Sequence, residues 1–126
     1  MTKVEQPVWF KKAISNEPKK LSIKVKGVKI VYNAWGEKSN PGILFVHGGM
    51  AHADWWNFIA PYFIKTHRVI AMNLGGMGDS DWKKTYSIES WGDEIVGVCK
   101  KEKLKKPILV GHSLGGMCSV IAASSM

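Results

Sequence analysis

Residues 107–120 of this 126-residue chain read PILVGHSLGGMCSV. The segment begins with an apolar run, Ile108 to Val110, typical of a strand buried in a parallel sheet. It ends, from Leu114 onward, in small apolar residues that suit a helix packed on that sheet. Between them lies G-x-S-x-G, a sharp strand-to-helix turn whose flanking glycines avoid Cβ clashes. The segment therefore predicts Ser113 as an exposed nucleophile, the alternative being a glycine-rich loop with a helix-capping serine.

A second glycine-rich motif, His47-Gly48-Gly49-Met50, follows the apolar run Ile43 to Val46. In doubly wound sheets, ligands bind beyond the carboxyl ends of the strands. A glycine-rich loop at that position leaves backbone N–H groups free to bind an oxyanion. We predict Gly49 as the first oxyanion donor, with Met50 as the fallback, and the N–H of Leu114 as the second donor. The alternative is a tight turn with no catalytic role.

The remaining patterns predict an α/β fold. Residues 21–25 and 28–34 alternate apolar and polar side chains around a Lys26-Gly27 turn, which indicates a β-hairpin. Residues 69–72 form another buried strand, and Ser87 is a plausible N-cap of a helix. Apolar residues at helical spacing occupy residues 55–63, where Pro61 predicts a kink or two short helices. We therefore expect a mixed, mostly parallel sheet with helices on both faces, formed by residues 21–126 after an N-terminal helical and linker segment, 1–20.

Composition excludes several classes of protein. The chain is 45% apolar and has no apolar run long enough to span a membrane. We find no secretory signal and expect a cytoplasmic protein with no membrane partner. The net charge of +8 comes from lysines and one arginine, Arg68, without a nucleic-acid-binding motif, so we expect solvated surface charge. Cys99 and Cys118 lack metal-ligand spacing; we expect reduced, buried thiols, with a disulfide as the alternative, and no metal or cofactor.

These motifs together resemble the N-terminal part of the α/β-hydrolase superfamily, in the serine esterase-like, single-domain group. The resemblance extends along essentially the whole chain. It is carried by the following segments: Pro7-Val8-Trp9-Phe10, Tyr32-Asn33-Ala34-Trp35-Gly36, Val46-His47-Gly48-Gly49, Trp55-Trp56, Gly78-Asp79-Ser80, Tyr86-Ser87-Ile88 and Gly111 to Gly116. It implies the strand order 1-2-4-3-5 for this part of the sheet.

The resemblance implies hydrolysis of an ester or related acyl bond in a small molecule, through an acyl-enzyme on Ser113. A serine argues against the superfamily branches that use an aspartate nucleophile, such as epoxide hydrolases. His52 at the rim, with Trp55 and Trp56, could contact the substrate. Two alternatives remain open, which are a carbon–carbon bond hydrolase or acyltransferase and a catalytically silent ligand-binding protein.

The chain departs from the family pattern at Asn73, where an acidic residue is usual, and at Gly76-Met77-Gly78, where Gly-His-Gly is usual. The triad acid and histidine normally follow later strands, so we expect them outside this chain. Among the residues present, we expect His47 to order its loop, and we consider none of the other histidines or the aspartates a good base or acid.

We therefore expect a chain truncated after the helix that follows Ser113. A split enzyme or a small non-catalytic domain are the alternatives. We also expect little or no turnover from these 126 residues alone, because loss of one triad member costs several orders of magnitude. The strand at residues 107–111 would then form an exposed apolar edge, through which copies of the chain could self-associate.

Overall fold

A computed structural model describes residues 3–126. The chain forms helix α1 (Val8–Ser15), strands β1 (Lys19–Val25), β2 (Val28–Trp35) and β3 (Gly42–Val46), and two 3-10 helices (Ala53–Trp56 and Ala60–Phe63). These are followed by strand β4 (Arg68–Met72), helix α2 (Ile88–Lys101), strand β5 (Ile108–Gly111) and helix α3 (Leu114–Ser124).

The five strands form one mixed sheet in the order β1-β2-β4-β3-β5. Strand β2 pairs antiparallel with both β1 and β4, whereas β3 pairs parallel with both β4 and β5. Lys26 and Gly27 join β1 to β2 with φ angles of 49° and 83°, the backbone of a tight two-residue hairpin turn. The predicted fold class and the strand order implied by the resemblance are both confirmed.

The sheet separates two apolar cores because successive side chains of a strand point to opposite faces. On one face, Leu44, Val46 and Met72 pack with Ile95 of α2 and Cys118 of α3. On the other face, the core lies beneath the 3-10 helices and contains Phe45, Val69, Ala71, Ala53 and Ala60. The predicted helices therefore lie on both faces. Cys99 and Cys118 are free and buried, as expected, and burial raises the pKa of each thiol to about 11.

The segment before β4 differs from a single amphipathic helix. Pro61 lies in the first turn of the second 3-10 helix, where its missing N–H costs no hydrogen bond. The prediction of a kink or two short helices is confirmed, but the apolar residues do not form one buried face. Trp55 and Tyr62 are 61% and 58% exposed, because 3-10 turns do not keep the spacing of an α-helix.

Strand β5 is the exposed edge strand that the sequence analysis predicted. Its apolar run is typical of a strand buried on both faces, yet Ile108 is 54% exposed. Strand β5 pairs only with β3 among residues 3–126, so it lies at the edge of the sheet. An apolar run indicates burial only when neighbours cover both faces and both edges.

The single arginine lies inside the protein rather than on its surface. Arg68 is 6% exposed, and its Nε donates to Glu102 Oε1 at 2.8 Å. Tyr32 donates its hydroxyl to the other Glu102 oxygen at 2.7 Å. Residues 3–126 contain no helix long and apolar enough to cross a bilayer.

Candidate active site

Ser113 occupies the turn between β5 and α3 in a conformation that side chains rarely adopt. Its φ and ψ angles are 52° and −118°, and its side chain does not cap α3. The Ser113 carbonyl accepts hydrogen bonds from the N–H groups of Gly116 and Met117, which start the helix. The residue is exposed, and its hydroxyl makes no hydrogen bond within residues 3–126. The turn therefore presents a free serine oxygen.

Close packing explains both glycines of the G-x-S-x-G motif. A Cβ on Gly111 would lie 2.5 Å from the Gly115 carbonyl oxygen, across the turn, as the sequence predicted. A Cβ on Gly115 would instead collide with the carbonyl oxygens of Val46 and His47 at the end of β3. The second glycine is therefore required by the neighbouring strand rather than by the turn, which brings Ser113 beside the loop after β3.

That loop places a second free backbone donor near Ser113. Gly49 lies against Leu114, since a Cβ on Gly49 would be 3.7 Å from Leu114 Cδ2. Neither the Gly49 N–H nor the Leu114 N–H donates a hydrogen bond in the described part of the chain. Met50, the fallback donor, has a φ of 62° and a side chain 93% exposed. Of the two residues in the loop, only Gly49 lines the cavity beside Ser113.

His47 is 1% exposed and orders this loop through both ring nitrogens. Its Nε2 accepts from the N–H of Leu74 at 3.1 Å, so in the neutral ring the proton lies on Nδ1. Nδ1 then donates to the Gly48 carbonyl at 2.7 Å. Burial lowers the pKa of His47, which keeps the ring neutral near pH 7.

Asn73, where the family usually has an acidic residue, forms hydrogen bonds through both its amide oxygen and its amide nitrogen. Its Oδ1 accepts from the N–H of Ala53 at 2.8 Å, and its Nδ2 donates to the Val31 carbonyl at 2.9 Å. A carboxylate could accept the first bond but could not donate the second. Asn73 therefore joins the segment after the Gly49 loop to β2 through a pair of hydrogen bonds that requires an amide.

A cavity of about 360 Å³ opens beside Ser113 and is mainly apolar. Trp55 and Trp56 line it, where the sequence placed them. His52 does not line it; this exposed residue lies against Gly78, and so the cavity gives no support to its predicted contact with substrate. The residues that the sequence prediction missed are Ala51, Phe58 and His112. Phe58 carried a signal, since it follows Trp55 by three residues, but Ala51 and His112 carried none.

Within residues 3–126, no acid and base pair accompanies Ser113. No carboxylate lines the cavity, and no histidine among residues 3–126 bonds to the Ser113 hydroxyl. The aspartates form contacts elsewhere: Asp54 with Asn33, Asp79 with Lys20, Asp81 with Lys29 and Asp93 with Lys26. The residues that the structure covers also hold no cluster of three or more potential metal ligands.

A buried ion pair that the sequence did not reveal supports the loop after β4. Lys83 Nζ lies 2.7 Å from Glu94 Oε2, and the two side chains are 11% and 2% exposed. The other oxygen of Glu94 accepts from the Gly75 N–H at 2.7 Å. Burial raises the pKa of Glu94 despite these bonds. Charges in loop and helix sequences normally indicate solvated residues, so no sequence signal marked this contact.

Comparison with known proteins agrees with this arrangement. A family model described as alpha/beta hydrolase fold matches residues 41–125. An uncharacterised hydrolase of Bacillus subtilis is 28% identical over 101 residues, which cover 79% of this chain and 37% of that protein. Epoxide hydrolase 4 of Homo sapiens is 29% identical over 104 residues, covering 80% of this chain and 29% of that protein. The chain thus spans about a third of the length of these relatives.

A solved thioesterase domain from the curacin biosynthetic pathway superposes with a TM-score of 0.80 at 28% identity. The match covers 87% of this chain and 40% of that domain. This structural match covers more of the chain than the family model does, which matches residues 41–125. Since the family model matches well over half of the chain, and the sheet order and the turn at Ser113 agree with it, the chain belongs to the α/β-hydrolase fold family.

Proposed function

We propose that the protein hydrolyses an ester or related acyl bond through Ser113. The observation that carries the proposal is the free Ser113 hydroxyl, held on a strained turn at a cavity, with the unused N–H groups of Gly49 and Leu114 on adjoining segments. A hydroxyl becomes an effective acyl acceptor when it is exposed, near a base and backed by donors for the developing oxyanion. Two of these three conditions are supported within the described residues.

The reaction divides into two steps. Ser113 Oγ attacks the carbonyl carbon and gives its proton to a base, while the N–H groups of Gly49 and Leu114 stabilise the negative oxygen of the tetrahedral intermediate. The alcohol or other leaving group departs with a proton, leaving an acyl ester on Ser113. Water then attacks that ester, releasing the carboxylic acid and restoring the serine. The base and its carboxylate partner would come from outside residues 3–126.

The chemistry of the nucleophile favours an acyl substrate over an epoxide. One relative is named an epoxide hydrolase, but a branch that opens epoxides through a covalent ester needs a carboxylate nucleophile, and position 113 carries a hydroxyl. Attack on a carbonyl creates an oxyanion, for which free N–H donors are present. The cavity is lined by Trp55, Trp56 and Phe58 and by no lysine, arginine or carboxylate. It therefore suits a neutral, apolar acyl group.

The test uses the protein expressed from its natural gene. Wild-type protein should hydrolyse p-nitrophenyl acetate and react with a fluorophosphonate probe, whereas Ser113→Ala should lose labelling and about 10⁴-fold or more of kcat/KM. Ser124→Ala is the matched control, since this exposed serine at the end of α3 bonds only the carbonyl of its own helix. Equal turnover by wild type and Ser113→Ala would contradict the proposal. A protein that binds the ester without hydrolysing it would instead be a ligand-binding member of the family.

A further inference from the structure

His47 does more than fill space under the loop after β3. It is almost fully buried, and each ring nitrogen makes one hydrogen bond, to the Gly48 carbonyl and to the Leu74 N–H. Leu74 belongs to the segment after β4, so the ring joins two loops at the carboxyl end of the sheet. The Leu74 N–H can only donate, which makes Nε2 the acceptor and Nδ1 the donor.

The bond to the Gly48 carbonyl fixes the direction of a neighbouring N–H group. The carbonyl of Gly48 and the N–H of Gly49 belong to the same planar peptide unit, and the described chain has no cis peptide bond. In a trans peptide these two groups point in opposite directions. The 2.7 Å bond that draws the Gly48 oxygen toward the imidazole therefore turns the Gly49 N–H away from it. Gly49 lies against Leu114, the residue that follows Ser113, and lines the cavity.

We propose that His47 is a positioning residue that aims the Gly49 N–H at the oxyanion through its Nδ1–H bond to the Gly48 carbonyl. The inference rests on the proposed function only where it concerns catalysis. The bond from Leu74 to Nε2 has a separate role, because it selects the tautomer and satisfies a buried donor. The Gly48 carbonyl also accepts from the Ala51 N–H, at 3.2 Å. Without the shorter Nδ1–H bond, this turn bond alone would hold the carbonyl, and we expect the Gly48–Gly49 peptide to be less firmly oriented.

Two variants separate the two bonds. In His47→Asn, the amide nitrogen occupies the position of Nδ1 and can still donate to Gly48, but nothing reaches Leu74. In His47→Gln, the longer side chain reaches the position of Nε2 and can still accept from the Leu74 N–H, but it no longer donates to the Gly48 carbonyl. The proposal therefore predicts opposite orders for stability and catalysis: Gln keeps the higher Tm and Asn keeps the higher kcat.

The kinetic experiment uses p-nitrophenyl acetate and the protein from its natural gene. We expect kcat to fall about 10-fold to 100-fold in His47→Gln, short of the effect of losing a donor outright, with little change in KM. We expect a smaller decrease in kcat for His47→Asn than for His47→Gln. His67→Asn and His67→Gln are the controls, since His67 precedes β4 at the opposite end of the sheet and bonds Thr66. A Gln variant as fast as or faster than the Asn variant overturns the proposal.

A second measurement needs no activity. The one-bond N–H residual dipolar coupling of Gly49 reports the direction of that bond. We expect it to change in His47→Gln and to stay near the wild-type value in His47→Asn. Unchanged couplings in both variants overturn the inference even if Ser113-dependent turnover is present. If turnover does not depend on Ser113, the proposed function fails, and the couplings still decide whether His47 orients this peptide.

Discussion

Two serines precede helices in this protein, and they use their hydroxyls in opposite ways. Ser87 lies before α2 in extended backbone, with φ −153° and ψ 157°. Its hydroxyl accepts from the Ser90 N–H at 3.0 Å, while the Ser90 hydroxyl accepts from the Ser87 N–H at 3.2 Å. Ser113 lies before α3 with φ 52° and ψ −118° and makes no such bond. The difference lies in the backbone rather than in the residue type.

The comparison shows how backbone conformation decides whether a serine hydroxyl before a helix caps that helix or stays free. Extended backbone at an N-cap turns the side chain back over the first turn of the helix, where it stabilises an unpaired N–H. The left-handed φ at Ser113 turns the side chain away from the helix, so the hydroxyl and the first N–H of α3 both remain available. The strained turn costs stability, and the glycines at positions 111 and 115 permit the close packing that surrounds it.

The largest effect should come from removing the first N–H of each helix. Replacing Leu114 and Ile88, the first residues of α3 and α2, by the corresponding α-hydroxy acids exchanges the N–H for an oxygen. At position 114 we expect kcat for p-nitrophenyl acetate to fall about 10²-fold to 10³-fold with little change in KM, because an oxyanion donor is lost. At position 88 kcat should not change. Similar kinetics for both esters would remove Leu114 from the proposed oxyanion site.

Adjacent glycines in α3 test the packing that forces the turn. Gly115→Ala places a Cβ against the carbonyl oxygens of Val46 and His47, and we expect it to lower the free energy of unfolding by about 1–3 kcal/mol. Gly116→Ala is the control, because its Cβ would be 3.5 Å from the Gly111 carbonyl oxygen, an ordinary contact. It should stabilise the helix by about 0.5–1 kcal/mol. Urea denaturation measures both, and equal effects would show that the β3 contact does not force the turn.

Glycine at position 113 should relieve the strain at the cost of activity. Ser113→Gly permits the left-handed φ without a Cβ, and we expect the free energy of unfolding to rise by about 1 kcal/mol. Ser87→Gly removes a helix cap and should lower the free energy of unfolding by about 0.3 kcal/mol. Thermal and urea unfolding of both variants give the comparison. A loss of stability in Ser113→Gly would mean that the turn stores no strain.

The smallest effect concerns the cap itself. Ser87→Ala removes the acceptor for the Ser90 N–H and should cost about 1 kcal/mol of unfolding free energy, while kcat stays at the wild-type value. Ser15→Ala is a matched control, since the Ser15 hydroxyl bonds only the Lys12 carbonyl within α1. If Ser87→Ala lowers kcat while Ser15→Ala does not, the α2 cap is coupled to the site.

The sequence predicted local structure well where a pattern has one physical cause. Alternation around Lys26-Gly27 gave the hairpin, because only one register buries Ile30 and Tyr32 together. Pro61 gave the break between the 3-10 helices, since proline cannot continue a helix interior. At β5 the apolar run by itself indicates burial. Its exposed edge could be predicted only from the strand order that the family resemblance implies, because exposure depends on which strands lie beside it.

The site divides in the same way. Ser113, Gly49, Trp55 and Trp56 could be named from the sequence because elbow and loop motifs constrain a few consecutive residues, although their catalytic roles stay predictions. The places of His112 and Ala51 at the cavity, and the hydrogen-bond partners of Asn73 and Lys83 in the loops around it, could not be named. Each depends on contacts between segments far apart in the chain, such as Asn73 with Ala53 and Lys83 with Glu94.

By itself, the sequence determined the family of folds and the position of the strand-to-helix turn at Ser113, because turn geometry and strand burial follow from a few neighbouring residues. Only the tertiary structure decided that Gly115 packs against the end of β3, that His47 bonds the Gly48 carbonyl, and that Gly49 lies against Leu114. Such contacts depend on where the sheet brings two strand ends together. No local sequence pattern predicts them, because the residues involved are far apart in the chain.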